Sequence, residues 1–290
     1  MVAQYVRIGF CGLTVAFAFP APMELPDSFA SLLTESGTPE DTYTVELLTA
    51  PLRPSAPPVA VTDWGTQIFQ TEKGWLHIHP SLEDSLGCQV ACLFCPDGHH
   101  RLYYPASQWP KYRENWNAAH LLWGERLLLR HDGLLLHSSL VHYQGKSVLF
   151  SGPSGAGKST QASLWHTHLG AEIINGDRTV IRKTGDGFVG GGSIWSGSSG
   201  IYRPDFAPIA GIILVEHGET EALERLGFTA FKPLLTQTIV NSWDEVFMHR
   251  ITGLLGQLMD TVPIYRLRCR PTADAVAVVR DALFTKEDCQ

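Results

Sequence analysis

Short stretches rich in β-branched and aromatic residues, separated by turn residues, fill residues 1–108 and predict a β-rich region. The run Ile8–Phe19 is one of these stretches. Two further pairs of stretches predict β-hairpins in which a glycine supplies positive φ to the turn. They are Thr66–Thr71 with Trp75–His79 around Gly74, and Cys88–Cys95 with His99–Tyr104 around Gly98.

A helix is predicted next, over Tyr112–Arg130, where hydrophobic residues recur at three- and four-residue spacing. Asp132 and Gly133 end this pattern. We expect the segment to be a linking element between two domains. The residues of its apolar face are Trp116, Ala119, Trp123 and Leu127.

From residue 134 onward, short apolar strands alternate with helices. The strands show little polar alternation, which predicts a sheet covered on both faces. The chain is therefore divided into a β-rich N-terminal domain (1–110), a linking helix (111–133) and an α/β domain (134–290). The predicted strands include Leu134–Leu136, Ser147–Ser151, Ala171–Ile174 and Ala210–Val215, and the predicted helices are Ser159–His168, Val240–Met259 and Thr272–Leu283.

Composition excludes several classes of protein. Hydrophobic residues make up 44% of the 290-residue chain, which is enough for a folded core and argues against global disorder. The net charge of −7 argues against a nucleic-acid partner, since such proteins carry a basic stripe. Every apolar stretch is shorter than the roughly 18 residues that a membrane-spanning helix needs, so no membrane association is predicted.

Export is not expected either. Ile8–Phe19 is long enough for the hydrophobic core of a secretion signal, but its β-branched and aromatic content favours a strand. No cluster of Lys and Arg precedes it. We therefore expect a cytoplasmic protein whose six cysteines are reduced thiols. The sequence leaves homo-oligomerisation open.

The clearest functional signal is a phosphate-binding loop. The residues at 152–159 match G-x-x-x-x-G-K-[ST] at every fixed position, after a predicted strand and before a predicted helix. Backbone N–H groups of such a loop point at phosphate oxygens, Lys158 reaches the β- and γ-phosphates, and the Ser159 hydroxyl is a ligand for Mg²⁺. We expect ATP and Mg²⁺ as cofactors. The predicted nucleotide-binding residues are Gly152, Pro153, Ser154, Gly155, Ala156, Gly157, Lys158, Ser159 and Thr160.

An acidic residue follows the next predicted strand. Asp177 comes after the buried run Ile173-Ile174, in the sheet that carries the loop, where its carboxylate is expected to meet Mg²⁺ or an acceptor hydroxyl. The alternative is a turn cap, because Asn-Gly-Asp is turn chemistry. Glu216, at the end of another strand, is the second candidate for the acidic role.

The residues around the loop resemble the HPr kinase/phosphorylase family. His137 stands fifteen residues before Gly152, with a strand, the turn Gln144-Gly145-Lys146 and a second strand between them, as in that family. The resemblance is specific over 134–181 and looser beyond. Phosphoenolpyruvate carboxykinases share this nucleotide-binding core but are longer and carry additional metal ligands.

The resemblance implies an α/β P-loop kinase domain of the HPr kinase/phosphoenolpyruvate carboxykinase type, preceded by a smaller β-rich domain. The family phosphorylates a seryl hydroxyl with ATP and uses two adjacent acidic residues. Here only the second acidic position is present, as Asp177, and Gly176 occupies the first. Asp177 is then expected to act as base, or to hold Mg²⁺ with Ser159 and leave proton removal to His137. Phosphorylase activity is not predicted.

A glycine-rich run over 190–200 precedes Arg203. Such a segment is flexible enough to close over a substrate, and Arg203 is a candidate clamp for the transferring phosphoryl group. The alternative is an ordinary surface loop with a solvated arginine. Arg250 falls within a predicted helix and is expected to be structural.

One cysteine pattern is rejected as a metal site. Cys88, Cys92 and Cys95 have the spacing of a radical S-adenosylmethionine iron–sulfur motif. That motif needs a loop on which three thiolates converge. Here the segment is predicted to be a strand, so Cys88 and Cys92 point to one face and Cys95 to the other.

The sequence thus predicts an ATP-dependent kinase that transfers the γ-phosphoryl group to a hydroxyl. The acceptor is a Ser or Thr of a protein or peptide, or a small hydroxylated molecule. Lys158, Asp177, His137 and Arg203 are the predicted catalytic residues. The alternative is a nucleotide-binding regulator without phosphotransfer, which the substitution by Gly176 favours.

Overall fold

The computed structural model describes residues 2–114, 116 and 119–284, apart from the side chains at positions 81, 82 and 198. Within these residues the chain is a mixed α/β protein with two large sheets. It divides into two compact units, Met1–Gly124 and Glu125–Gln290. We call them the N-terminal unit and the C-terminal unit.

An eight-stranded sheet forms the N-terminal unit, in the order β1-β2-β3-β8-β7-β6-β5-β4. The β2–β3 and β3–β8 pairings are parallel, and the other pairings are antiparallel. The strands are β1 (Gln4–Phe10), β2 (Leu13–Phe19), β3 (Asp41–Leu48), β4 (Ala60–Val61), β5 (Gln67–Thr71), β6 (Gly74–Glu83), β7 (Gln89–Phe94) and β8 (His99–Pro105), and the helices are α1 (Asp27–Ala30) and α2 (Trp109–Glu114).

Both predicted hairpins are confirmed. β5 pairs with β6 and β7 pairs with β8, each in antiparallel register across a turn that holds a glycine at positive φ. The run Ile8–Phe19 is divided between two strands, because Cys11 and Gly12 both adopt positive φ and turn the chain back on itself. The buried aromatic core on one face of the sheet contains Phe17, Phe19, Phe29, Tyr43 and Trp116.

The predicted single helix over Tyr112–Arg130 is wrong. Two short helices, α2 and α3 (Gly124–Arg130), stand in its place, and residues 119–122 between them form turns. Positions 115, 117 and 118 of the prediction lie outside the described residues. Trp123 adopts a positive φ of 56°, which a continuous right-handed helix does not allow. The indole N–H of Trp116 donates to Tyr104 of the N-terminal unit, so its burial reflects tertiary packing.

The C-terminal unit contains both strands and helices, but they do not alternate as predicted, because β11 to β15 follow one another without an intervening α-helix. The helices after α3 are α4 (Lys158–Leu169), α5 (Phe231–Gln237), α6 (Glu245–Thr261) and α7 (Ala273–Phe284). The strands are β9 (Gly133–Tyr143), β10 (Lys146–Ser151), β11 (Glu172–Asn175), β12 (Arg178–Thr184), β13 (Gly187–Gly191), β14 (Phe206–His217), β15 (Ala222–Leu226) and β16 (Ile264–Cys269). Helix α6 begins later than predicted, because the Asp244 side chain accepts the Phe247 N–H and caps it.

Two long strands organise this sheet, whose order is β10-β9-β12-β13-β14-β16-β15. β9 pairs with β10, β11 and β12, and β14 pairs with β10, β13 and β16. Both faces are covered, as predicted. Leu149 of β10 packs in the cluster that contains α6, whereas its neighbours Val148 and Phe150 pack in the cluster that contains α4 and α7.

The β10–α4 connection brings the predicted loop to one end of the sheet. β10 and β14 run parallel, so Ser151 pairs with Leu214 where the loop begins. β9 runs antiparallel to β10, and Ser151 also pairs with Ser138. The residues beside His137 therefore lie at the same end of the sheet as the loop.

Among the described residues, no helix is long and apolar enough to cross a membrane. The same residues contain no group of three or more His, Cys, Asp or Glu side chains arranged to hold a metal ion. Cys88, Cys92 and Cys95 are free and buried. Cys95 packs with Ala91 and Leu93 on one side of β7, in agreement with the predicted alternation along this strand.

Burial raises the pKa of the Cys92 thiol, which is fully buried. Since the thiolate is the reactive form, we predict that iodoacetamide alkylates Cys92 far more slowly in the folded protein than after denaturation. Peptide mass spectrometry of both samples measures the two rates. Fast labelling of the folded protein would contradict this prediction, as would stoichiometric iron or zinc that is lost when Cys88, Cys92 and Cys95 are changed to serine.

Candidate functional site

The loop between β10 and α4 has the backbone conformation that its glycines permit. Gly152 and Gly157 have φ values of 148° and 101°, which side-chain-bearing residues rarely adopt. A Cβ atom at Gly152 would lie 3.0 Å from the carbonyl oxygen of Val215 in β14. The loop is thus packed closely against the neighbouring parallel strand, with α4 starting at Lys158.

Lys158 lies within this loop. Its side chain is buried, and Nζ donates hydrogen bonds to the carbonyl oxygens of Gly152 at 2.9 Å and Pro153 at 3.0 Å. Burial lowers the pKa of Lys158, and the negative charge of Asp177 opposes this shift.

Ser139 lies between α4, the helix that follows the loop, and the turn Gly176-Asp177 after β11, which we call the acidic turn. Its hydroxyl lies 3.5 Å from the Ser159 hydroxyl and donates a 3.0 Å hydrogen bond to the carbonyl oxygen of Gly176. Sequence reasoning missed Ser139, because nothing in its local pattern distinguishes it from other strand residues. Ser159 and the Gly176-Asp177 turn are thereby on the same side of the loop.

The buried amide of Asn175 fixes the acidic turn. Its Oδ1 accepts the backbone N–H groups of Asp177 and Arg178, both at 2.9 Å. Its Nδ2 donates to the carbonyl oxygen of Trp195 at 3.2 Å. The backbone N–H of Ser138 donates to the Asp177 carbonyl at 2.9 Å. These bonds include the turn chemistry noted in the sequence, and they fix the backbone from which the Asp177 side chain projects.

His137 and Asp177 form a pair. His137 Nε2 lies 3.2 Å from Asp177 Oδ1, and the two side chains are 32% and 29% exposed, so solvent reaches both. The other carboxylate oxygen lies 3.5 Å from Nε of Arg178. The Ser151 hydroxyl donates to the His137 carbonyl at 2.9 Å and holds this part of β9 against β10. The structure thus brings together two residues that the sequence separates by forty positions.

The first position of the acidic turn has no room for a side chain. A Cβ atom at Gly176 would collide with Ser199, approaching its Oγ to 2.6 Å. Ser199 belongs to the 3₁₀ turn Gly197–Ser199, and the backbone at Gly197 packs directly against the Asp177 carboxylate. The glycine-rich segment is therefore part of this site.

Arg203 lies elsewhere. Its guanidinium pairs with Glu172 at 3.4 Å, and both side chains are largely exposed. Glu172 pairs with His142 in the sheet, five residues along β9 from His137. This spacing corresponds to about 16 Å at the usual strand rise. The structure therefore separates the predicted phosphoryl clamp from the other predicted residues.

Glu216 and Arg250 are engaged in other contacts. The Glu216 carboxylate pairs with Arg266 at 3.1 Å and with Arg268 at 3.2 Å. Arg250 Nη2 donates to the carbonyl oxygen of Leu129 at 2.8 Å, which is the structural role expected for it.

His217, the last residue of β14, contacts the loop in a way that the sequence did not predict. Its Nε2 lies 3.0 Å from the carbonyl oxygen of Gly155 in the phosphate-binding loop. With Nε2 protonated, the imidazole donates a hydrogen bond to the outer side of the loop. The contact joins residues 62 positions apart, so no local pattern indicates it.

Comparison with known proteins adds a distant structural likeness. The chain is similar to the structure of the Hpr(Ser) kinase/phosphatase from Coxiella burnetii, with 12% sequence identity and a TM-score of 0.30. The match covers 52% of this chain and 88% of that chain. At this TM-score the likeness establishes neither fold nor function. No protein-family model and no curated protein matches the sequence.

For the ATP-dependent kinase that the sequence predicts, we expect His217→Ala to raise the KM for ATP about fivefold and to leave kcat nearly unchanged, because one hydrogen bond contributes about 1 kcal/mol. His217→Gln keeps an N–H donor and should restore most of the affinity. His168→Ala, an exposed histidine on the last turn of α4, is the matched control. Steady-state kinetics over a range of ATP concentrations measures both constants, and an unchanged KM in His217→Ala would exclude a role in holding the loop.

Proposed function

We propose that this protein is an ATP-dependent kinase that transfers the γ-phosphoryl group to a hydroxyl acceptor. The observation that carries the proposal is the connection of the His137–Asp177 pair to the phosphate-binding loop. The Ser139 hydroxyl donates to the Gly176 carbonyl at 3.0 Å and lies 3.5 Å from the Ser159 hydroxyl, and the negative charge of Asp177 opposes the lowering of the Lys158 pKa by burial. A phosphate-binding loop and an acidic group that lie together are the two parts that phosphoryl transfer requires.

In this proposal the backbone N–H groups of residues 152–160, apart from Pro153, which has none, hold the phosphates, and the dipole of α4 adds positive potential at its N-terminus. Lys158 now donates to two loop carbonyls, and it exchanges these for phosphate oxygens when nucleotide binds. His217 supports the loop from outside through Gly155.

The donor set also fits Mg²⁺. A hydroxyl oxygen from Ser159 and a carboxylate oxygen from Asp177 are hard oxygen ligands of the kind that Mg²⁺ prefers. When bound, the ion would neutralise charge on the β- and γ-phosphates. These two residues are the ones proposed to hold it.

We assign removal of the proton from the acceptor hydroxyl to the His137–Asp177 pair. His137 Nε2 lies 3.2 Å from Oδ1 of Asp177, and Arg178 Nε lies 3.5 Å from Oδ2. In this proposal the carboxylate, held between these two groups, receives the proton of the acceptor hydroxyl. If Asp177 is instead committed to Mg²⁺, the imidazole of His137 is the base. The acceptor is a seryl or threonyl hydroxyl of a protein or peptide, or a small hydroxylated molecule.

A second candidate function is a nucleotide-binding regulator without phosphotransfer. The contact between Ser199 and Gly176 favours it, since the turn Gly197–Ser199 occupies part of the acceptor side of Asp177. A regulator binds ATP without releasing ADP, whereas a kinase releases ADP in the presence of an acceptor. Incubation with γ-labelled ATP and a panel of hydroxyl acceptors separates the two.

We expect Lys158→Ala to reduce ATP turnover to background, because the phosphates lose the point charge of the loop. Lys146→Ala, at the other end of β10, removes an exposed lysine and serves as the matched control. ADP release measures turnover, and circular dichroism verifies the fold of both variants. Turnover by Lys158→Ala at the rate of the unmodified protein would refute the kinase proposal.

Asp177→Asn should slow phosphotransfer by at least about a hundredfold, the usual scale for loss of a general base, while ATP still binds. Asp186→Asn removes an exposed carboxylate from the turn between β12 and β13 and should have little effect. Transfer of labelled phosphate reports the rate, and titration calorimetry reports nucleotide affinity.

His137→Ala then divides the roles within the pair. A loss as deep as that of Asp177→Asn, with unchanged Mg²⁺ affinity, would make His137 the base and Asp177 the metal ligand. A small loss would give both tasks to Asp177. If neither variant slows transfer, the pair is not the catalytic centre.

A further inference from the structure

The contact between the glycine-rich segment and the acidic turn is built into the fold. A backbone hydrogen bond from Gly192 N–H to the Asp205 carbonyl at 3.1 Å closes the longer loop in which most of this segment lies. Trp195 is buried, and its carbonyl accepts the Asn175 amide at 3.2 Å. The same Asn175 side chain orients Asp177. The position of the turn Gly197–Ser199 is therefore linked to that of the carboxylate.

Within this segment the serines differ in their access to the site. Ser193 and Ser196 are buried, with exposures of 0% and 1%. Ser199 is exposed, and its hydroxyl donates to the Ser196 carbonyl at 2.7 Å. Its Cβ and Oγ fill the space beside Gly176, next to Asp177. A seryl hydroxyl of this chain thus lies beside the turn that carries Asp177.

The turn is also able to adjust locally. Gly197 begins it and Gly200 follows it, with φ values of 56° and 64°, and glycine lacks the Cβ atom that restricts other residues at such φ values. Rotating the Ser199 side chain breaks its hydrogen bond to the Ser196 carbonyl at 2.7 Å and the longer one that it accepts from the Ile201 N–H at 3.4 Å, and frees the hydroxyl for another partner.

We propose that Ser199 is a phosphorylation site of this protein, modified by the ATP site of the same chain. This proposal rests on the kinase function proposed above. The Ser199 Oγ attacks the γ-phosphorus, and a new O–P bond forms while the bond from the γ-phosphorus to the β–γ bridging oxygen breaks. ADP leaves, and the Ser199 proton passes to the Asp177 carboxylate. Nothing is oxidised or reduced.

The test is incubation of the dephosphorylated full-length protein with γ-labelled ATP and Mg²⁺, followed by intact mass and peptide mapping. We expect one phosphoryl group per chain, on Ser199, at a rate per chain that does not depend on protein concentration. Ser199→Ala should lose the label. Ser199→Thr should still be labelled, but more slowly, because threonine keeps the hydroxyl and adds a methyl group at Cβ.

Control variants distinguish failure of the Ser199 proposal from failure of the kinase proposal. Thr236→Ala removes an exposed hydroxyl from α5 and should retain full labelling, whereas Lys158→Ala should abolish it. ADP release without label on Ser199 would overturn the Ser199 proposal and leave the kinase proposal standing. Label on another residue, or a rate per chain that rises with protein concentration, would also overturn it. Absence of both ADP release and label would overturn both proposals.

Discussion

The register between β9 and β10 is the constraint on which the candidate site depends. Gln144 and Gly145 form a two-residue turn with φ values of 48° and 72°, which matches the twist of a hairpin and sets Ser151 opposite Ser138. This pairing places His137 at the start of the phosphate-binding loop. A slip of one residue would reverse every side chain of β9 between the two faces of the sheet. The free edge of β9 then receives β11 and β12, and Asp177 lies between them.

A single buried side chain couples the two halves of this arrangement. Asn175 makes three hydrogen bonds, two to the turn that carries Asp177 and one to the glycine-rich segment. Leaving such groups unpaired inside the protein costs about 1–3 kcal/mol each, so the turn and the segment are held as a unit. The absence of a side chain at Gly176 belongs to the same arrangement, because Ser199 occupies that space.

The N-terminal unit relies on a different kind of polar contact. His100 and Asp41 form a fully buried pair at 2.8 Å, and the His100 Nδ1 accepts the backbone N–H of Cys95 at 3.0 Å. These contacts fasten β3 and β8 to the end of β7, beside the turn at Gly98. The three cysteines around this strand are packing residues. Their spacing resembles a metal motif only in the linear sequence, since a strand points alternate side chains to opposite faces.

Local spacing predicted the strand, turn and helix around the 152–159 loop and both hairpins, because each depends on residues that are neighbours in the chain. It misread 112–130, where Trp116 and Leu127 fit one helical face but pack in different units. The tertiary structure alone decided that Arg203 pairs with Glu172, that His217 contacts Gly155 and that Ser199 fills the space at Gly176. These contacts join positions 23 to 62 residues apart, and only strand pairing across the sheet brings such positions together.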